Sequence, residues 1–364
     1  MIILAGRSHV LGGDFSILRV YNEWKSSVNR IHVKTPLEDY MQPLIDFGIS
    51  LVIVLQRMGE WVYPIMTFFS ELGSEEFFFL AMPLIYWCID STLGLRVGFI
   101  LVTSIYLNAI GKAAFAGPRP YWVSSHVRPL WAETGFGVPS GHAQNALSIW
   151  GTIASHRRRI WVTVLCVFLI LMISFSRLVL GAHFPHDVVV GWLIGGALLW
   201  AFSRYWEAVE NWLAGKSFVV QVRIAFLVSM VFVVMGMVVY NLLTDYQLPQ
   251  DWLTNALRSG LRPDPTNPTA VFSTAGTFFG LALGVAWTHQ RGGYQAAGPG
   301  WKRVLRFILG FIGILILWQG LGAVFPRSDD LVAYSLRYLR YALVGCWISG
   351  GAPWVFKHFN LTTS

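Results

Sequence analysis

Apolar windows of near-membrane length recur from about residue 76 to the C-terminus, and nothing else constrains this chain as strongly. In lipid, every backbone polar group must be satisfied internally, which leaves helices or a closed barrel. A barrel needs short segments of alternating hydropathy, and these are absent. The expected fold is all-α, a polytopic transmembrane helical bundle. Only 13% of the residues are charged, against about 25% in soluble domains.

Spans are expected near 76–90, 94–111, 142–155, 160–181, 188–203, 218–243, 268–288, 302–324 and 333–356, which makes nine. Residues 43–70 are interrupted by Asp46, Arg57, Glu60 and Pro64. They read as an amphipathic interfacial helix; if they cross instead, the count is ten. The net charge of +8 falls mainly at the ends of apolar segments, where topology places it, so nucleic acid is not an expected partner. Cys88, Cys166 and Cys346 lie inside apolar runs and lack zinc spacing. The densest basic cluster, His156-Arg157-Arg158-Arg159, marks its side as cytoplasmic. Loops 112–141, 182–187 and 244–267 then face away from the cytoplasm, while Arg19, Lys25, Arg30 and Lys34 pull the N-terminal arm toward it.

Three polar clusters share the non-cytoplasmic face. The first, Lys112 to Pro120, places a lysine at the end of a span and Arg119 between two prolines. Lysine offers a point charge and arginine a planar fork, both suited to phosphate oxygens. Taken alone, such cations are usually topology anchors. The second cluster is Pro139-Ser140-Gly141-His142 at a helix start. Ser140 is a candidate N-cap, Gly141 lets its N–H approach an anion, and His142 projects from the first turn. The third runs from Ser176 to Asp187 and holds Arg177, His183, His186 and Asp187. Ionisable groups at a membrane edge are costly to bury and mark function. Asp187 lies four residues beyond His183, so one helical turn can bring its carboxylate to Nδ1 and leave Nε2 as a nucleophile. His186 reads as a bystander. A metal held by His142, His183, His186 and Asp187 is a rival, but three cations on the same face repel one.

Together the clusters read Lys-x6-Arg-Pro, Pro-Ser-Gly-His and Ser-Arg-x5-His-x3-Asp. This set resembles the phosphatidic acid phosphatase type 2 (PAP2) superfamily, over roughly residues 70–205. The lead-in Glu71 to Phe77, followed by Tyr86-Trp87, looks like the membrane-bound bacterial branch and is similar to sphingosine-1-phosphate phosphatases. The resemblance implies a six-helix core at 71–205, preceded by an arm and interfacial helix at 1–70 and followed by a transmembrane extension at 206–364.

It also implies a metal-independent phosphatase without cofactors, acting on a lipid phosphate or diphosphate through a phosphohistidine on His183. His142 would serve as general acid and then base, and Asp187 would support His183. Lys112, Arg119, Ser140, Gly141 and Arg177 would bind the phosphate. The expected location is the bacterial plasma membrane, with the site on the non-cytoplasmic face. Expected partners are the bilayer and the lipid substrate, and the extension is read as extra bundle helices, a wall of the substrate cleft or a homodimer face. The alternatives are a lipid phosphotransferase or a sugar-phosphate phosphatase with the same site, or a catalytically silent scaffold or transporter.

Overall fold

The computed structural model describes residues 36–362. The chain divides into two units, Met1–Leu44 and Ile45–Ser364, and the three polar clusters all belong to the second. Most of the expected N-terminal arm lies outside the described residues. Among those residues the fold is helical throughout. Helix α1 is Pro36–Gln56, α2 Val62–Glu71, α3 Glu75–Ile89, α4 Ser91–Phe115, α5 the single turn Pro120–Val123 and α6 Gly141–Arg157. The second half holds α7 Ile160–Val179, α8 Pro185–Ala214, α9 Phe218–Asn241, α10 Gln250–Leu257, α11 Thr269–His289, α12 Gly300–Val324 and α13 Leu331–Cys346. A π turn carries α13 on into Ala352–His358.

All nine expected spans coincide with helices, but only six described helices are long and apolar enough to cross a membrane. The pair α2 and α3, bent by 51°, passes the same test together and makes a seventh if it is one broken span. Residues 43–70 fall on two helices, α1 and α2, where a single interfacial helix was expected. Residues 62–71 bury Val62, Met66 and Ser70 in a cluster with Val179 and Leu180 at the end of α7. Helix α6 falls short because it has 17 residues and carries a polar seam.

That seam has a structural use. Gln144 Nε2 donates to the Ser104 carbonyl at 2.7 Å, and Asn108 Nδ2 donates to Gln144 Oε1 at 3.1 Å. Ser104 Oγ donates to Asn145 Oδ1 at 2.7 Å. Buried polar side chains are tolerated only when paired, and these pair α4 to α6 in one register. Asn108 Nδ2 also donates to the Pro139 carbonyl at 3.1 Å, which fixes the chain just ahead of Ser140.

The ends of these helices are pinned too. Asp90 caps α4 by accepting from Leu93 N at 3.0 Å, and its other oxygen lies 3.1 Å from His156 Nε2 at the far end of α6. Ala116, at φ 48°, ends α4 in the left-handed region. Pro118 and Pro120 follow, so the chain cannot continue as a helix and Arg119 is turned inward.

The extension packs directly on the first half. Trp87 Nε1 donates to the Ile348 carbonyl at 2.9 Å, and the Tyr86 hydroxyl to the Ser349 carbonyl at 3.2 Å. The Tyr86-Trp87 pair in the lead-in thus anchors the C-terminal helices.

Candidate active site

The turn between α7 and α8 is built by its own backbone. The N–H groups of Ala182 and His183 both reach the Arg177 carbonyl, at 3.1 and 3.3 Å. Pro185 starts α8, and Asp187 Oδ2 accepts from Phe184 N at 2.9 Å. The same oxygen lies 3.2 Å from His183 Nδ1. His183 stands outside the helix, so the spacing of four works through a helix cap rather than the helical turn expected. One carboxylate both starts α8 and orients the imidazole. The Asp187 carbonyl accepts from Ser140 N at 3.0 Å, which joins the second cluster to the third.

Arg119, Ser140, Arg177, His183 and Asp187 are each 0% exposed. Arg119 uses its whole fork. Nε donates to the Gly135 carbonyl at 2.7 Å and Nη1 to the Ala182 carbonyl at 3.0 Å; Nη2 donates to the Phe136 carbonyl at 2.9 Å and to Glu133 Oε2 at 2.6 Å. Arg177 donates from Nη1 to Ser70 Oγ and from Nη2 to Glu133 Oε1, with its guanidinium 5.2 Å from the Trp131 ring centre. Lys112 Nζ lies 3.8 Å from Glu133 Oε2.

Glu133 is the residue that sequence reasoning missed. It bridges the three expected phosphate-binding cations. A signal was present, since Glu133 is the sole acidic residue between Lys112 and His142. Burial alone would raise its carboxyl; Arg119, then Arg177 and Lys112, overcome this and hold it well below the usual range. It is ionised at neutral pH.

Six buried polar atoms near this centre have no hydrogen-bond partner within the protein: His183 Nε2, His142 Nε2, Ser140 Oγ, Arg177 Nε, Asp187 Oδ1 and His186 Nδ1. Ser140 sits at the N-cap of α6, yet its hydroxyl makes no capping bond. The capping role expected for that side chain is not the one it plays. Its oxygen stays available to a ligand. His183 is pushed well below the ordinary histidine range, first by burial and then by Arg119. A neutral imidazole with Nδ1 held by Asp187 leaves the Nε2 lone pair ready to attack.

His186, read as a bystander, packs against the same turn. Its ring stacks on Phe184, and its Nε2 lies 3.2 Å from Asp187 Oδ1. Among the described residues, no three His, Cys, Asp or Glu side chains converge as a metal site.

This arrangement is joined by two family matches. Residues 93–210 match the PAP2 superfamily, and residues 272–364 match the PAP2 superfamily phosphatase transmembrane extension. The chain carries a PAP2 superfamily membrane phosphatase domain with its extension. Glucose-6-phosphatase 3 of Bos taurus is 26% identical over 358 residues, covering 88% of this chain and 97% of that protein. Glucose-6-phosphatase catalytic subunit 1 of Mus musculus is 27% identical, covering 85% and 93%. The finer likeness to sphingosine-1-phosphate phosphatases draws no support from these relatives. A transmembrane PAP2-type phosphatidylglycerolphosphate phosphatase from Bacillus subtilis aligns over 53% of this chain and 96% of its own, with 18% identity and a TM-score of 0.38, too loosely to carry an argument.

In this PAP2 domain, α6 and α8 are close because glycine allows it. A Cβ on Gly191 would lie 2.6 Å from the Ser140 carbonyl, and one on Gly195 2.6 Å from the Gln144 carbonyl. The obstacle is backbone, which cannot rotate away. Gly191→Ala is expected to cost about 1–3 kcal/mol and to move Ser140 and His142 off the centre. Unfolding midpoint and phosphate release in detergent check this; a fully active variant would show that the close approach is dispensable.

Proposed function

We propose that this PAP2 protein is a phosphomonoester phosphatase working through a phosphohistidine, and that its substrate is a sugar phosphate. The observation that carries the chemistry is His183, with Nδ1 held by Asp187 and Nε2 buried without a partner beside three cations. Nε2 attacks phosphorus as the bond to the leaving oxygen breaks, and His142 gives that oxygen a proton. Water then attacks the phosphohistidine, returns a proton to His142 and releases inorganic phosphate. Lys112, Arg177, the Ser140 hydroxyl and the Gly141 N–H stabilise the equatorial oxygens in this reading.

The substrate class rests on the cavity beside Lys112. It measures about 310 Å³ and is lined by Glu75, Asn108, Lys112, Thr134, Asp264 and Asn267, among others. Such a lining suits a polyhydroxylated leaving group, and the relatives' names point the same way. The extension supplies part of this wall: Asp264 N donates to the Thr134 carbonyl at 3.0 Å, and Asn267 Nδ2 to Asp264 Oδ2 at 3.0 Å. A hydroxyl bound to a carboxylate contributes about 1.5–3 kcal/mol. Asp264→Ala should therefore raise KM for glucose 6-phosphate about tenfold or more. The same variant should leave p-nitrophenyl phosphate, which has no hydroxyls, nearly unchanged. An equal rise for both esters would remove Asp264 from the sugar site.

The lipid phosphate first expected is the second reading. It is favoured by an apolar groove of about 370 Å³ lined by Leu171, Met172, Phe175, Leu178, Val188 and Trp192, which would take an acyl chain. Phosphate release by the purified protein in detergent decides between them. Glucose 6-phosphate is compared with phosphatidic acid, phosphatidylglycerol phosphate, a sphingoid base phosphate and a prenyl diphosphate. A preference for any of the lipids overturns the sugar reading.

For orientation, the site lies at the start of α6 and the end of α7, while Arg157, Arg158 and Arg159 lie at the opposite ends of the same helices. This supports a site facing away from the cytoplasm.

A further inference from the structure

Two histidines meet at this centre, and only His183 has a carboxylate within hydrogen-bond distance. We propose that Glu133 is the positioning carboxylate of His142, so that the acid–base imidazole is backed just as the nucleophilic one is. The proposal rests on the phosphatase reading and on His142 as proton donor.

The geometry is asymmetric in an informative way. His142 Nδ1 lies 3.8 Å from Glu133 Oε1, while His142 Nε2 is buried and has no partner within the protein. The carboxylate therefore stands behind the ring and the free nitrogen in front. His183 repeats the pattern, with Nδ1 on Asp187 Oδ2 at 3.2 Å and Nε2 unpartnered. The Trp131 ring meets His142 edge-on, with centroids 6.1 Å apart, and limits its tilt.

Glu133 is itself held firmly, which a positioning group requires. Its Oε2 faces Arg119 and Lys112, and its Oε1 faces Arg177 and His142. A carboxylate 3.8 Å from Nδ1 is too far for a direct hydrogen bond but close enough to favour the protonated ring. Without that charge, burial and then Arg177, Lys112 and Arg119 would act on His142 unopposed, and all of them disfavour imidazolium. Glu133 opposes them, so the imidazolium that gives its Nε2 proton to the leaving oxygen is less costly to form than it would be without that charge. It also trims three positive charges to two, the charge of a phosphate dianion.

The test uses leaving-group dependence, because an alkoxide needs a proton to depart and p-nitrophenolate does not. The kcat/KM for glucose 6-phosphate and for p-nitrophenyl phosphate reports the phosphorylation step in each case. Glu133→Gln keeps the side-chain size and removes the charge. It should lower kcat/KM for the alkyl ester about 100-fold or more, and for the aryl ester at least tenfold less than that.

Glu133→Asp keeps the charge but withdraws it by one methylene. Its ratio between the two esters should fall between wild type and Gln, so it carries the test even if the Gln variant does not fold. Equal losses on both esters, in either variant, would reduce Glu133 to an arginine clamp and overturn the proposal. Wild-type protein that releases phosphate from neither ester, nor from any of the phosphorylated lipids, would overturn the phosphatase reading itself, and this inference with it.

Discussion

In the His183→Ala variant, kcat is expected to fall by about 10⁴- to 10⁶-fold, the scale on which removal of a nucleophile acts. The covalent intermediate should vanish with it. Brief exposure of the wild type to ³²P-labelled substrate, followed by quenching in alkali, should leave label on the protein; alanine at 183 should leave none. The fold should survive, because the turn is held by main-chain bonds from residues 182 and 183 to the Arg177 carbonyl. The cap from Phe184 N to Asp187 also survives the substitution. The pH dependence has a definite sign. Burial, with Arg119, depresses protonation of His183. The free enzyme therefore keeps its nucleophile neutral well below the ordinary histidine pKa of about 6.5. The acid limb of kcat/KM that belongs to His183 should lie correspondingly low. Undiminished turnover by the alanine variant would sink the nucleophile assignment.

What the sequence made legible was set by local physics. Helix positions followed from apolar windows, and the three clusters could be read because each is contiguous in the chain. The bend between α2 and α3 was not readable, since it depends on what Val62 and Met66 pack against. Glu133 was passed over for a related reason. A lone glutamate in a loop acquires meaning only when folding brings Arg119 and Arg177 to its two oxygens. Ser140 carries two sequence signals, a helix cap and a phosphate ligand, and the structure lacks the first. Serine before a helix is usually a cap, and here the hydroxyl is left free. The polar cavity was invisible as well, because Asp264 and Asn267 reach it from the extension, more than 120 residues away from His142.

Arg119→Lys should be the most damaging conservative change in the molecule. The sequence places Arg119 among the phosphate ligands, but four of its donors are already committed to protein acceptors. A lysine carries its three donors on one atom and cannot span acceptors set around a planar fork. The Gly135, Phe136 and Ala182 carbonyls would lose partners in a buried site, and Glu133 would keep a positive charge nearby but lose its 2.6 Å hydrogen bond from Nη2. Each buried acceptor left without a partner costs about 1–3 kcal/mol, which should appear as a large drop in unfolding midpoint together with loss of turnover. Lys112 offers the contrast. Its one ion pair within the site is the 3.8 Å approach to Glu133, so Lys112→Ala should shift stability by no more than about 1 kcal/mol while weakening vanadate binding sharply. If both variants instead unfold alike, or both fold alike and lose vanadate alike, Arg119 and Lys112 share one role. A division of labour in which Arg119 builds the loop that carries Glu133 and Lys112 meets the substrate would then be wrong.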